Sequence, residues 1–146
     1  MREIKFRGYS LLEDRWIYGR SIFNVGTVCS ICEDEEIEKS LLENRGALGV
    51  GVDPETVGQF TGLYDKNGKE IYENSILRCC FVDENGKSSH KEIYNVRYFS
   101  GVGGFIVYDF YDTEGDFIQL TSSEISKHNM EVVGNDFNFI NDFENE

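Results

Sequence analysis

The chain has 146 residues, 40% hydrophobic and 14% aromatic, enough for a compact fold with a buried core and no disulfide or metal staple. Its 14 Lys and Arg stand against 27 Asp and Glu, a net charge of −13, which disfavours direct nucleic-acid binding because few cations are present to displace counterions. No apolar run approaches the roughly 20 residues of a membrane-spanning helix, and the start, Met1 to Arg7, is followed by no apolar leader segment.

A cytoplasmic chain with its four cysteines as free thiols is therefore expected. The 11 Phe, 8 Tyr and single Pro lean towards strands. The negative charge implies solubility and repulsion between copies, and it permits a basic partner.

Residues 2–7 alternate charged and apolar side chains, the period of a strand. Arg15 to Tyr18 follow the polar Glu13-Asp14 turn, so a hairpin over 2–19 is predicted. Residues 21–32 read equally as strand, loop or the approach to a helix. Residues 34–45 predict a helix capped by Asp34, with Glu35, Glu36 and Glu38 near its positive end. Ile37, Leu41 and Leu42 would form its narrow apolar stripe and Gly46 its stop. Gly46, Gly49, Gly51 and Pro54 predict a flexible connection and a soft boundary near 46–55.

Thr56 to Leu63 reads as extended. Asp65-Lys-Asn-Gly68 is a turn signal. Ile71 and Tyr72 resume the apolar pattern, Glu73-Asn-Ser75 turns, and Ile76 to Val82 is a strongly apolar strand. After an Asp83 to Lys87 turn, strands are predicted around Ile93–Phe99, Phe105–Phe110, Phe117–Leu120 and Glu131–Gly134. The acidic tail Asp136 to Glu146 carries Phe137, Phe139, Ile140 and Phe143. Short strands at this spacing suggest a small barrel or sandwich.

Chemistry-bearing residues are sparse. Cys29-Ser-Ile-Cys32 has the spacing of half a zinc site, but Cys79 and Cys80 are neighbours in a predicted strand and point to opposite faces. Free, partly buried thiols are expected instead. Asp65-Lys-Asn-Gly fails the calcium-loop pattern, because Lys69, Glu70 and Ile76 stand where an oxygen ligand, a glycine and a bidentate Glu belong. Gly46-Ala-Leu-Gly-Val-Gly51 and Gly101-Val-Gly-Gly104 open no helix and lack a following Lys-Ser or Lys-Thr, so both read as turns.

His90, in Lys87–Lys91, and His128, in Ser126–Asn129, sit in loop-like runs tied to no nucleophile. Asp109 with Asp112, or Asp83 with Glu84, read as solvated carboxylates. Trp16 and Tyr18 are able to stack on a ligand, though core packing is the commoner use. Direct nucleic-acid binding would need a patch such as Lys66, Lys69, Lys87 and Lys91 with Arg78 or Arg97.

Asp53-Pro-Glu-Thr-Val-Gly-Gln-Phe-Thr-Gly-Leu-Tyr-Asp-Lys-Asn-Gly-Lys-Glu-Ile-Tyr-Glu73, followed by Ser75-Ile-Leu, resembles the YopX-like family of bacteriophage and prophage proteins. The opening Met1 to Arg7 and the run Glu131-Val-Val-Gly-Asn135 are similar to that family as well. Asn74-Ser75 departs from the Gly-Asp usual there, and the usual Asn-Pro-Glu-Leu ending is not matched after Asn135.

The resemblance implies a mainly β fold whose C-terminal part is an SH3-like small barrel, in a homo-oligomer. It carries no catalytic residue across. The expected organisation is an N-terminal hairpin-plus-helix portion, 1–52, and a barrel portion, 53–146, or one YopX-like domain over 1–146. The expected role is a non-enzymatic phage accessory protein that binds protein in the bacterial cytoplasm, with no catalytic, cofactor or metal residues. The alternative is a nucleic-acid-associated or DNA-mimic protein acting on a basic enzyme.

Overall fold

The computed structural model describes residues 3–82, 85–86, 88–109 and 115–135. They are mainly β, as predicted, with two α-helices among the described residues. The chain divides into two compact units, Met1–Phe60 and Thr61–Glu146.

In the first unit, β1 (Phe6–Ser10) and β2 (Arg15–Gly19) form a hairpin inside the predicted 2–19, Phe6 opposite Gly19 and Ser10 opposite Arg15, but β1 lies C-terminal to the alternating run 2–7, with residues 3–5 outside any strand. Asp14 closes it at φ 53, a left-handed turn that Asp tolerates. Ser10 Oγ accepts the Glu13 N–H at 3.1 Å. β1 also pairs with the first residues of β6 (Gly58–Tyr64).

Residues 21–32 resolve as a second hairpin, β3 (Ser21–Val25) and β4 (Val28–Cys32). Its two-residue loop is Gly26-Thr27. Gly26 has φ +63 in the first position, the pattern of a type II′ turn.

The predicted flexible connection is instead partly a strand. β5 (Val50–Val52) pairs with β4, Cys29 opposite Val52 and Ile31 opposite Val50. The glycines misled because Gly51 lies between two valines that pack inward, so a period of two is hidden under turn-like composition. Ile17, Cys29, Ile31 and Val52 make this unit's core. Each such fully buried aliphatic side chain contributes about 1.5–3 kcal/mol.

α1 (Asp34–Leu42) is shorter than predicted and starts from Glu33, not Asp34. It stops at Leu42 because Asn44 turns left-handed at φ 53. The Arg45 N–H then reaches the Ser40 carbonyl at 3.0 Å and the Asn44 N–H reaches Leu41 at 3.4 Å, a Schellman closure built on Asn. The predicted stripe is also corrected. Ser40 is buried, while Leu41 and Leu42 face out.

In the second unit, β7 (Glu70–Tyr72) returns beside the latter half of β6, and Thr61 Oγ1 donates to the Ile71 carbonyl at 2.7 Å. Then β8 (Ser75–Val82), β9 (Ser88–Phe99), β10 (Gly104–Asp109) and β11 (Phe117–Gln119) form an antiparallel meander. α2 (Ser122–Lys127) leads to β12 (Glu131–Asn135), which pairs back on β8 with a bulge between Val132 and Gly134. The order β11-β10-β9-β8-β12, last strand beside first, is compatible with the SH3-like barrel. Ile71, Leu77, Cys79, Val96, Val107 and Met130 anchor its core.

Two loop expectations are corrected here. β9 begins at Ser88, so His90 lies in a strand opposite Phe81. His128 caps α2, a helix absent from the sequence reading. Its start was legible as Thr121-Ser-Ser-Glu124, since Thr121 Oγ1 accepts the Glu124 N–H at 3.1 Å. The expectations at Asp83, Glu84, Lys87, Phe110, Asp112 and the tail 136–146 lie outside the described residues. Among the described residues no helix is long and apolar enough to cross a membrane.

Candidate functional site

The β3-β4-β5 sheet carries no Asp, Glu, Lys, Arg or His, since residues 21–32 and 46–52 lack all five. The chain as a whole is 28% charged. Strand alternation sorts its side chains. Ile22, Cys29, Ile31, Val50 and Val52 turn inward. On the opposite face, Phe23 pairs with Ser30 and Val25 with Val28. Phe23, Val25 and Val28 are 66%, 60% and 65% exposed.

Beside the hairpin end of that sheet runs an open groove of about 660 Å³. Leu11, Leu12 and Val28 supply apolar lining, and its charged lining residues are Glu13 and Asp53. At the other end, β4 runs into the acidic first turn of α1. Arg15 clasps Glu33 through Nη2 at 2.9 Å and Nη1 at 3.0 Å and reaches Glu13 at 3.0 Å. Its hydrogen bonds hold the Glu33 carboxyl below the usual range. Arg20 takes Asp34 at 3.3 Å.

The cysteines do not converge. Cys29 and Cys32 are three apart on one strand, so their side chains leave opposite faces: Cys29 is buried and Cys32 half-buried. Burial raises the Cys29 thiol. Cys79 lies in the core, its thiol pushed up to about 12 by burial, with Cys80 and Glu92 adding. No group of three or more metal-ligating side chains forms among the described residues.

Trp16 is committed to packing. The buried Arg7 guanidinium lies 4.9 Å from its ring and Tyr9 meets it edge-on at 5.5 Å. His128 Nε2 sits 3.0 Å from Glu124 Oε2, and the His128 carbonyl accepts the Cys80 N–H at 2.8 Å. Gly101 to Gly104 turn between β9 and β10. Of the basic candidates, Lys66 and Arg78 share Glu131 at 3.7 and 3.0 Å, and Arg97 bonds Asn74 and Asn95.

Asp65 is a structural acceptor, as the turn reading of its motif requires. Its Oδ1 accepts the N–H groups of Asn67 and Lys69, both at 2.8 Å, and its Oδ2 accepts that of Val132 at 2.9 Å. The Lys66 N–H donates to the Met130 carbonyl at 3.1 Å. The Asp65-Lys-Asn-Gly68 turn is thus clasped to the start of β12.

The sheet face itself went unnoticed in the sequence. Its signal was the run of uncharged residues from 21 to 32 in an acidic chain. A family model described as YopX protein matches residues 5–138. No curated protein matches the chain.

Proposed function

The chain belongs to the YopX family, and from that premise we propose that it is a non-enzymatic phage or prophage accessory protein that acts by binding another protein. The observation that carries this reading is the uncharged sheet face with Phe23, Val25 and Val28 in the open. Exposed apolar side chains gathered on one face, as these are by strand alternation, mark an interaction site better than the same residues scattered singly. A bacterial host and a homo-oligomeric state, both resting on the resemblance, complete the proposal, with a cytoplasmic location resting on the expected free thiols.

Mimicry of nucleic acid is less well supported. Arg15, Arg20 and Arg45 pair with Glu33, Asp34 and Glu36, which interrupts the run of carboxylates at the start of α1 that mimicry would draw on.

The test is affinity capture from an infected or induced host, with the native chain and a Phe23→Ser/Val28→Ser double variant as baits. A protein recovered by the native bait and lost by the variant supports the reading. Equal recovery of every protein by both baits would refute it.

A further inference from the structure

We propose that the open edge of β3 takes up an extended segment of a partner protein as an added strand, one with apolar side chains at alternate positions and Lys or Arg at both ends. The inference rests on reading the chain as a protein-binding module, and it names the mode of binding and the chemistry of the partner.

β3 pairs with β4 on one side only among the described residues. Exposed edges are normally guarded by Pro, by inward charges or by bulges. Ser21-Ile-Phe-Asn-Val25 holds no Pro and no charge, and its register with β4 runs without a bulge.

The turn decides which backbone groups are open. Val25 and Val28 flank a two-residue loop and so form a hydrogen-bonded pair. Alternation then leaves Ile22 and Asn24 with their N–H and C=O groups directed at the open edge. A peptide docking there gains main-chain hydrogen bonds from those two residues and apolar contact from Phe23 and Val25.

Charge separates the possible occupants. β3 begins opposite Cys32, where the chain enters Glu33 to Glu36. β3 ends at the hairpin loop, beside the groove that holds Glu13 and Asp53. Arg15 and Arg20 satisfy Glu13, Glu33 and Asp34. Glu35 at one end and Asp53 at the other have no cationic partner among the described residues, and no Lys or Arg lines the groove.

A second copy would present the same carboxylates. Paired antiparallel, its Glu35 end meets the Asp53 end; paired parallel, like ends meet. Both arrangements oppose like charges. A segment with basic ends meets carboxylates at both.

The experiment titrates the full chain with a short synthetic peptide of alternating Val and Thr flanked by Lys, and with its Glu-flanked counterpart. Binding is read by fluorescence anisotropy and by amide hydrogen exchange. The Lys-flanked peptide is expected to bind, to protect the Ile22 and Asn24 amides, and to weaken with salt. The Glu-flanked peptide is expected to bind at least about tenfold more weakly.

Asn24→Pro removes an edge N–H that the β3–β4 ladder does not use, so the hairpin survives and binding is lost. Phe23→Ser checks the same face without touching the backbone, and it too is expected to weaken binding. Protection of Ile22 and Asn24 that depends on protein concentration alone would assign the edge to a second copy and overturn the proposal. So would equal binding of the two peptides, binding indifferent to Asn24→Pro, or no protection of β3 by either peptide. A captured partner that survives Asn24→Pro but not Phe23→Ser/Val28→Ser leaves the binding role standing and removes only strand addition.

Discussion

Val132 donates its backbone N–H to Oδ2 of Asp65 at 2.9 Å, across 67 residues of chain. With Asn67 and Lys69 on Oδ1, one carboxylate satisfies three backbone donors. Asp65→Ala leaves those donors without their acceptor and is expected to destabilise the fold by about 2–3 kcal/mol, measured by urea unfolding at pH 7. The same group sets a pH dependence. Burial raises its carboxyl, but the bonds from Val132, Lys69 and Asn67 outweigh burial and leave it below the usual value. A depressed carboxyl stabilises the fold above its unfolded value of about 4 and loses that contribution as pH falls through the folded value. The stability gap between the native chain and Asp65→Asn is therefore expected to be full at pH 7 and to shrink in acid. A gap that widens below pH 4 contradicts this account.

Two glycines separate steric from conformational cost. A Cβ at Gly19 would run into the Cys32 carbonyl oxygen, which is backbone and has little freedom to move. A Cβ at Gly26 meets nothing within 4 Å, but the φ of +63 disfavours any side chain. Gly19→Ala is expected to cost about 3 kcal/mol and Gly26→Ala about 1 kcal/mol. Equilibrium denaturation ranks the two variants, and the reverse order refutes the packing described at Cys32.

Thiol reactivity reports the strand faces. Cys32 and Cys80 are partly exposed; Cys29 and Cys79 are buried. A neutral alkylating reagent at pH 7–8 is expected to modify Cys32 and Cys80 in the native state, and Cys29 and Cys79 only on unfolding. Peptide mapping by mass spectrometry gives the order. Early modification of Cys79, whose thiol is pushed up to about 12, would contradict its place in the core.

Asn74 explains one of the departures from the family pattern. Its φ is 70, a conformation open to Gly and tolerated by Asn. Ser75 is fully buried, and its Oγ accepts the Tyr72 N–H at 3.0 Å, an acceptor role open to Asp as well. Asn74→Gly exchanges strain for a lost bond to Arg97 and is expected to change stability by less than about 1 kcal/mol. Asn74→Ala keeps the strain, loses the bond, and is expected to cost about 1–2 kcal/mol in the same denaturation assay.

What was legible follows from local chemistry. Alternation with turn residues placed the hairpin of β1 and β2, the Asp65 turn and the meander from β8 to β11. What was missed depended on partners remote in sequence. Val50 and Val52 make a strand only because Cys29 and Ile31 lie opposite. The stop of α1 was assigned to Gly46, while Asn44 had already taken the left-handed turn. The Thr121-Ser-Ser-Glu124 cap was visible and passed over. The uncharged sheet face required knowing that 21–32 and 46–52 share a sheet, which spacing along one chain does not reveal.

The pairing of β12 with β8 bears on synthesis as well as stability. The first strand of that antiparallel sheet waits for the last one. A ribosome adds about 5–20 residues per second, so β8 emerges with one flank bare and stays so until Asn135 has left the exit tunnel. A chain terminated before Glu131 would never close that flank, and the nascent protein carries the risk of wrong strand pairing for the whole interval.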